Sequence, residues 1–89
     1  METVLVIGAA RSGIAVSKLL LKNGYHVVLT DSNTIKEKTE LESMGIEVFD
    51  GGHPDSLKEK KYAFIVKNPG IPYRVPFVHY FVEQNAKIY

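Results

Sequence analysis

A glycine-rich segment near the amino terminus has residue types that could bind phosphate. The segment is Gly8–Gly13 (G-A-A-R-S-G), which follows the apolar run Thr3–Ile7 and precedes an apolar helical pattern. Where a buried strand turns into a helix, free backbone N–H groups and the helix dipole together favour an anion. Arg11 and Ser12 would add a cation and a hydroxyl to those groups. The segment therefore predicts a phosphate or nucleotide site.

The same segment is an incomplete dinucleotide fingerprint. Gly8 and Gly13 match the first and last glycines of G-x-G-x-x-G, whereas Ala10 replaces the middle one. The middle glycine lets a pyrophosphate lie against the backbone, so the Ala10 methyl group is expected to crowd an extended dinucleotide. A modified nucleotide site and a plain tight turn built from small residues both stay open at this point.

Asp31 is a second candidate, because it ends the apolar run Tyr25–Thr30. A carboxylate at the end of a second strand can accept hydrogen bonds from ribose hydroxyls or from a base N–H. Its neighbours Ser32 and Asn33 are neutral, so they offer no charge to a ribose 2′-phosphate. The alternative is a free carboxylate in an exposed loop.

A third candidate is the segment Asn68-Pro69-Gly70, which follows the apolar run Ala63–Val66 closely. Proline fixes its own φ and glycine permits a tight reversal, so regular structure is excluded here. A backbone amide or the Asn68 side chain could then face the same ligand. A plain turn is the alternative.

Strand and helix patterns alternate along the chain. The predicted strands are Thr3–Ile7, Tyr25–Thr30, Ile46–Phe49, Ala63–Val66 and the beginning of a fifth at Lys87–Tyr89. Helices are predicted over Ser12–Asn23, after a Thr34/Glu37 capping box, and over Pro76–Asn85. This alternation predicts an α/β fold with a Rossmann-like, doubly wound, parallel five-stranded sheet of order 3-2-1-4-5. The three candidate loops meet at the switch point of such a sheet.

No complete catalytic or metal-binding set is visible. The histidines His26, His53 and His79 lack metal-ligand spacing, and each is expected to be structural or exposed to solvent. The chain has no G-x-x-x-x-G-K-[ST] loop and no nucleophile elbow. A receiver-type domain would need acidic residues at the end of the first strand, where this chain has Ile7 and Gly8. We therefore predict no catalytic residue and no metal ligand in this chain.

Length and composition limit the remaining classes. The 89 residues fit one domain, 1–89, and no apolar run approaches the ~18 residues of a membrane span. There is no cysteine and no signal-peptide pattern, so we expect a cytoplasmic protein. The net charge of +1 comes without a dense basic face, which argues against nucleic acid as a partner. Because the sequence stops just as a fifth strand begins, we expect a domain excised from a larger protein.

Three features together resemble the N-terminal domain of the Mur ligases. They are V-I-G-x-x-x-S-G at Val6–Gly13, Asp31 at the end of the second strand, and I-V-K-N-P-G-I-P at Ile65–Pro72. Gly52-His53-Pro54 is also similar to the bacterial members of the branch that adds D-glutamate. The resemblance covers all 89 residues, which correspond to only the first of the family's three domains.

The resemblance implies that this domain holds the uridine diphosphate portion of a muramoyl substrate. Relatives often keep a glycine where this chain has Ala10, and they can carry a basic residue where it has Asn33, which puts a charge contact there in doubt. The residues implied to contact UDP are Gly8, Ala10, Arg11, Ser12, Gly13, Asp31, Ser32, Asn68, Pro69 and Gly70.

The resemblance also implies the activity of the full enzyme. ATP and Mg²⁺ would activate the carboxylate of UDP-N-acetylmuramoyl-L-alanine, and D-glutamate would be joined to it in peptidoglycan synthesis. The ATP loop and metal ligands would belong to the central ATPase domain and the C-terminal domain, so we predict that this chain alone is inactive. Two other hypotheses stay open: an NAD(P)-binding domain of a dehydrogenase or regulatory sensor, and an inert module that contacts a partner.

Overall fold

A parallel four-stranded sheet forms the centre of the computed structural model, which describes residues 1–89. The strand order is β3-β2-β1-β4, and every neighbouring pair is parallel. The elements are, in chain order, β1 (Thr3–Ile7), α1 (Arg11–Lys22), β2 (His26–Thr30), α2 (Lys38–Ser43), β3 (Glu47–Phe49), a short 3-10 helix (Asp55–Glu59), β4 (Phe64–Lys67) and α3 (Pro76–Glu83). The predicted α/β, Rossmann-like fold class is confirmed.

Strand β1 lies at the centre of the sheet and supplies side chains to both of its faces. Leu5 of β1 is paired with Val28 of β2 on one side and with Ile65 of β4 on the other. Val4 and Val6 pack into a core with residues from the region of α1 and α2, while Leu5 and Ile7 pack with α3 and the 3-10 helix. Because both faces are covered, nearly every residue of β1 is apolar.

The fifth strand is present only as a short bridge. Ile88 lies parallel to Ile65 at the outer side of β4, and hydrogen bonds of 2.8 Å join Ile65 to Lys87 and Tyr89. The prediction of five strands is therefore wrong for these residues, since the sheet has four. The predicted order of those four is confirmed, and residues 87–89 lie where the fifth was placed.

The predicted Thr34/Glu37 capping box is also wrong. Helix α2 begins at Lys38, and its N-cap residue Glu37 makes no side-chain hydrogen bond to the helix. The preceding segment is held from across the chain instead, because the Asp50 carboxylate accepts a hydrogen bond of 2.9 Å from the Ile35 amide. That amide lowers the pKa of Asp50 below its ordinary value, and nearby Lys38 acts in the same direction.

None of the helices combines the length and the apolar character that crossing a membrane requires. The longest, α1, has 12 residues. Cytoplasmic localisation stays a prediction.

Replacing Leu5 with alanine tests the two-faced core. Leu5 is completely buried in the middle of the sheet. We expect Leu5→Ala to lower the free energy of unfolding by about 2–5 kcal/mol, because a cavity is left where the sheet cannot collapse. Urea denaturation followed by circular dichroism measures this change. Leu19→Ala is the matched control, since Leu19 is 59% exposed. A similar loss in both variants would contradict the assignment of the core.

Candidate functional site

The carboxyl ends of β1, β2 and β4 bring the three predicted loops together. The Gly8 amide donates to the Thr30 carbonyl at 2.8 Å, and the Asn68 amide donates to the Ile7 carbonyl at 2.9 Å. These bonds continue the sheet by one residue beyond β1 and β4. The three loops therefore begin next to one another at one edge of the sheet.

Both glycines of the incomplete fingerprint are required by the packing of the turn. Gly8 has a φ of +105°, and a Cβ atom there would lie 2.7 Å from the Cβ atom of Asn68. A Cβ atom on Gly13 would overlap the carbonyl oxygen of Gly8, so no larger residue lets α1 lie this close to β1. The first and last glycines thus have their expected structural roles without reference to a ligand.

The start of α1 presents unpaired hydrogen-bond donors. The backbone amides of residues 10–13 donate to no protein acceptor, whereas the amide of Ile14 begins the helical ladder by donating to Ala10. No acidic residue lies in the first turn, and no side chain caps the helix. Arg11 and Ser12 are exposed, and their side chains take part in no ion pair or hydrogen bond. Together with the positive end of the helix dipole, these donors form a site suited to an anion.

Asp31 connects the end of β2 to the glycine-rich turn. Its Oδ2 atom accepts a hydrogen bond of 2.6 Å from the Ala9 amide, and its Oδ1 atom accepts one of 2.8 Å from the Asn33 amide. The alternative of a free carboxylate is therefore wrong. Each carboxylate oxygen can accept more than one hydrogen bond, so Asp31 retains capacity for a ligand. Ser32 lies beside it and is exposed.

The Asn68–Gly70 segment forms a turn that leans against Gly8. The Asn68 Oδ1 atom accepts a hydrogen bond of 2.9 Å from the Gly70 amide, and the Asn68 carbonyl accepts one of 3.0 Å from Ile71. The Asn68 Nδ2 atom donates to no protein acceptor and lies on the side facing Gly8. Pro69 and Gly70 are exposed at the tip of the turn.

Six of the ten predicted site residues line two separate depressions. One, of about 320 Å³, lies between the glycine-rich turn and the loop after β2; it includes Ala10 and Asp31. The other, of about 240 Å³, lies between α1 and the end of β4; its lining includes Ser12, Gly13, Asn68 and Pro69. Gly8, Arg11, Ser32 and Gly70 line neither depression.

Sequence reasoning missed three charged residues that line these depressions. Lys36 and Glu37 line the first and are exposed, while Lys67 lines the second and is buried. Lys36 and Glu37 lie in the segment where a Thr34/Glu37 capping box was predicted, so the sequence indicated the start of a helix there and not the lining of a cleft. Lys67 lies between the predicted strand Ala63–Val66 and the Asn-Pro-Gly turn, and a lysine directly at the end of an apolar strand pattern was the available signal for it.

A larger cavity, of about 380 Å³, lies away from the three loops, beside the start of β4. Its lining includes Tyr62, Phe81 and Lys87, and none of the predicted site residues. The depressions at the carboxyl ends of the strands hold the candidate site, because the unpaired amides and Asp31 lie there. No group of three or more histidine, cysteine, aspartate or glutamate side chains could hold a metal ion.

His53 has a structural role, which is one of the two roles that the sequence analysis expected for it. Its Nδ1 atom lies 2.8 Å from the buried Thr30 hydroxyl, and its ring stacks on Phe77 of α3 at 4.6 Å. The next residue towards the amino terminus, Gly52, bridges to Asp31. Burial lowers the pKa of His53 below its ordinary value of 6.5, and the Asp31 carboxylate partly opposes that effect.

Comparisons with known proteins reveal close relatives. The chain is 44% identical over 90 residues to UDP-N-acetylmuramoylalanine--D-glutamate ligase of Staphylococcus epidermidis, a match covering 98% of this chain and 20% of that protein. It is 43% identical over 88 residues to the ligase of the same name from Geobacillus kaustophilus, covering 96% of this chain and 20% of the relative. The Staphylococcus aureus protein of that name is 43% identical over 90 residues, with 98% and 20% covered.

The chain thus spans about a fifth of the length of the curated relatives it matches. No family model matches it.

The environment of His53 predicts that acid destabilises the fold near neutral pH. Burial disfavours the charged imidazole, so the unfolded chain binds the proton more readily than the folded chain does. Stability is therefore fully present above pH 6.5 and is lost as the pH falls from there towards the lower folded pKa. Urea denaturation at pH 7.5 and 5.5 measures the change.

His53→Phe is the matched variant, because it keeps an aromatic ring against Phe77 and has no group that titrates. The pKa values of the Glu47 and Asp50 carboxylates are lowered from their ordinary values of 4.5 and 3.8, so these groups change their charge below the range from pH 7.5 to 5.5. The difference between wild type and variant should therefore shrink on acidification. A constant difference would contradict the assignment.

Removing the Asp31 carboxylate tests its connection to the turn. We expect Asp31→Ala to lower the free energy of unfolding by about 1–2 kcal/mol, because the amides of Ala9 and Asn33 lose their acceptor. The fold should persist, since the core does not include this residue. Asp31→Asn keeps one acceptor oxygen and should lose less. Thermal melts of the three proteins decide this, and equal stability of all three would exclude a structural role.

Proposed function

We infer that this chain is the N-terminal domain of a protein of the UDP-N-acetylmuramoylalanine--D-glutamate ligase family, because it is 43–44% identical to such ligases along nearly all of its own length. On that premise we propose that it binds the UDP portion of the muramoyl substrate. One observation carries the proposal: the unpaired amides of residues 10–13 lie beside Asp31 at the switch point of the sheet. Parallel α/β sheets bind their ligands at that place.

The diphosphate would lie at the start of α1. Amides that point away from the helix donate to phosphate oxygens, and the helix dipole adds a partial positive charge. Arg11 and Ser12 are exposed at the same end and would contribute a cation and a hydroxyl. The methyl group of Ala10 is exposed there too, so the phosphates would pass beside it rather than across it.

The uridine would lie in the depression beside Asp31. The carboxylate oxygens hold the turn through Ala9 and Asn33, and their remaining lone pairs would accept hydrogen bonds from ribose hydroxyls or from the N3–H group of uracil. Ser32 would contribute a hydroxyl from the same loop. Asn68, Pro69 and Gly70 would form the wall on the other side of the glycine-rich turn.

The whole protein is proposed to be a cytoplasmic, ATP-dependent amide ligase of peptidoglycan synthesis. ATP would convert the carboxylate of UDP-N-acetylmuramoyl-L-alanine to an acyl phosphate with release of ADP. The amine of D-glutamate would then attack this carbonyl, form the amide and release phosphate. Residues of this chain do not fit a Mg²⁺–ATP site, because it has neither a phosphate loop with its lysine nor a converging set of carboxylates. Central and C-terminal domains would supply that chemistry, and this chain alone is expected to be inactive.

A titration followed by NMR tests the proposal on this chain. Uniformly ¹⁵N-labelled protein is titrated with UDP, with UDP-N-acetylmuramic acid and with NAD⁺. We expect saturable amide shifts at residues 9–13 and at Asp31 with both UDP compounds, and none with NAD⁺. Saturable shifts with NAD⁺ alone would favour the dinucleotide-binding alternative. The absence of shifts with every compound would favour an inert module.

Two variants on α1, Arg11→Ala and Lys22→Ala, form a matched pair. We expect Arg11→Ala to weaken UDP binding by about three- to tenfold, because an exposed charge-assisted contact to phosphate is lost. Lys22→Ala removes a charge from the other end of α1 and should leave the affinity unchanged. Dissociation constants from the same titration measure both effects. Equal losses would mean that only the overall charge of the chain matters.

A further inference from the structure

Lys67, the last residue of β4, is a buried cation without an acidic partner. The residue is only 8% exposed, and it takes part in none of the ion pairs of the chain. Lysine is almost never buried unless its charge is paired, because an ammonium group loses much hydration free energy in the interior. The contacts that this ammonium group makes must therefore compensate for the lost water.

Three contacts replace that water. The Nζ atom donates to the Ile71 carbonyl at 2.7 Å and to the Asn68 carbonyl at 3.1 Å. It also lies over the ring of Tyr73, 4.4 Å from the ring centroid. An ammonium group has three donor hydrogens, so two carbonyls and one aromatic face account for all of them.

These contacts tie together the two ends of the Asn68–Ile71 turn. The carbonyls of its first and last residues both point at the same Nζ atom, which lies beneath the turn. Without the Lys67 contacts the turn would be free to change its conformation. The Asn68 side chain would then no longer be held against Gly8.

We propose that Lys67 is a positioning residue: its buried ammonium group holds the Asn68–Ile71 turn in the conformation that faces the glycine-rich turn, and thereby strengthens binding of the UDP portion. The proposal rests on the proposed function for its second half only. The first half, the ordering of the turn, is a property of the chain without ligand. The two halves are therefore measured separately.

Lys67→Met is the principal variant. Methionine keeps an unbranched apolar chain in the buried space and removes the ammonium group. Hydrogen exchange of the Ile71 amide reports on the turn, because that amide donates to the Asn68 carbonyl inside it. We expect its exchange to be at least about tenfold faster in Lys67→Met, while the Leu5 amide in the central strand exchanges at the wild-type rate. Lys61→Met is the matched control, since Lys61 is exposed near the opposite end of β4.

The second readout is the affinity for UDP, measured from the amide shifts of residues 10–13. We expect Lys67→Met to weaken UDP binding about fivefold or more, and Lys61→Met to leave it unchanged. Unchanged exchange at Ile71 in Lys67→Met would overturn the proposal at its first half. Faster exchange at Ile71 with unchanged UDP affinity would overturn the second half and leave the proposed function standing.

Failure of the proposed function gives a different result. In that case wild-type protein shows no UDP shifts at all, and the second half of the proposal fails with it, while the exchange measurement still decides the first. If Lys67→Met does not fold, Tyr73→Leu replaces it, because Tyr73 is 53% exposed and lies outside the core. Faster Ile71 exchange and weaker UDP binding in Tyr73→Leu support the proposal, and wild-type values for both overturn it.

Discussion

The close approach of α1 to β1 is the constraint on which the site depends. A Cβ atom at Gly13 would overlap the Gly8 carbonyl, and the next turn of the helix presents the small residue Ser17, whose hydroxyl donates to the Gly13 carbonyl at 2.8 Å. This packing places the first turn of α1 directly above the end of β1. Its unpaired amides therefore point towards the space between the loops after β2 and β4.

The charged groups around the turn act mainly on the backbone. Asp31 accepts from the amides of Ala9 and Asn33, and Lys67 donates to the carbonyls of Asn68 and Ile71. One anion and one cation thus hold the two loops that flank the glycine-rich turn. Such bonds are stronger than bonds between neutral groups, which suits loops that have no regular secondary structure of their own.

This division of roles supports the proposal that the domain binds the UDP portion of a substrate. The donors free to meet an anion are backbone amides, whose positions are set by the sheet and by α1 rather than by flexible side chains. Preorganised donors lose little entropy when a ligand binds. The relatives are about five times as long as this chain.

The sequence by itself determined the fold class, the order of the four strands and the three loops that meet at the site. Apolar β-branched runs, the glycines at both ends of the turn and the Asn-Pro-Gly punctuation are local signals, because each reflects the conformation that a short segment can adopt. The boundaries of α1 and α3 were predicted to within a residue or two for the same reason. The fifth strand, whose beginning was predicted at Lys87–Tyr89, is present only as a bridge between Ile88 and Ile65.

Only the tertiary structure decided which polar groups already have a hydrogen-bond partner within the protein. The capping box failed because Asp50, distant in sequence, supplies the acceptor for Ile35. Asp31 proved to be tied to Ala9, and Lys67 proved to be buried beneath the turn that it precedes. A sequence pattern shows that a residue can accept or donate a hydrogen bond. Which partner it meets depends on segments that come together only when the chain folds, since burial makes an unpaired polar group costly and each one takes whatever partner the packing brings within reach.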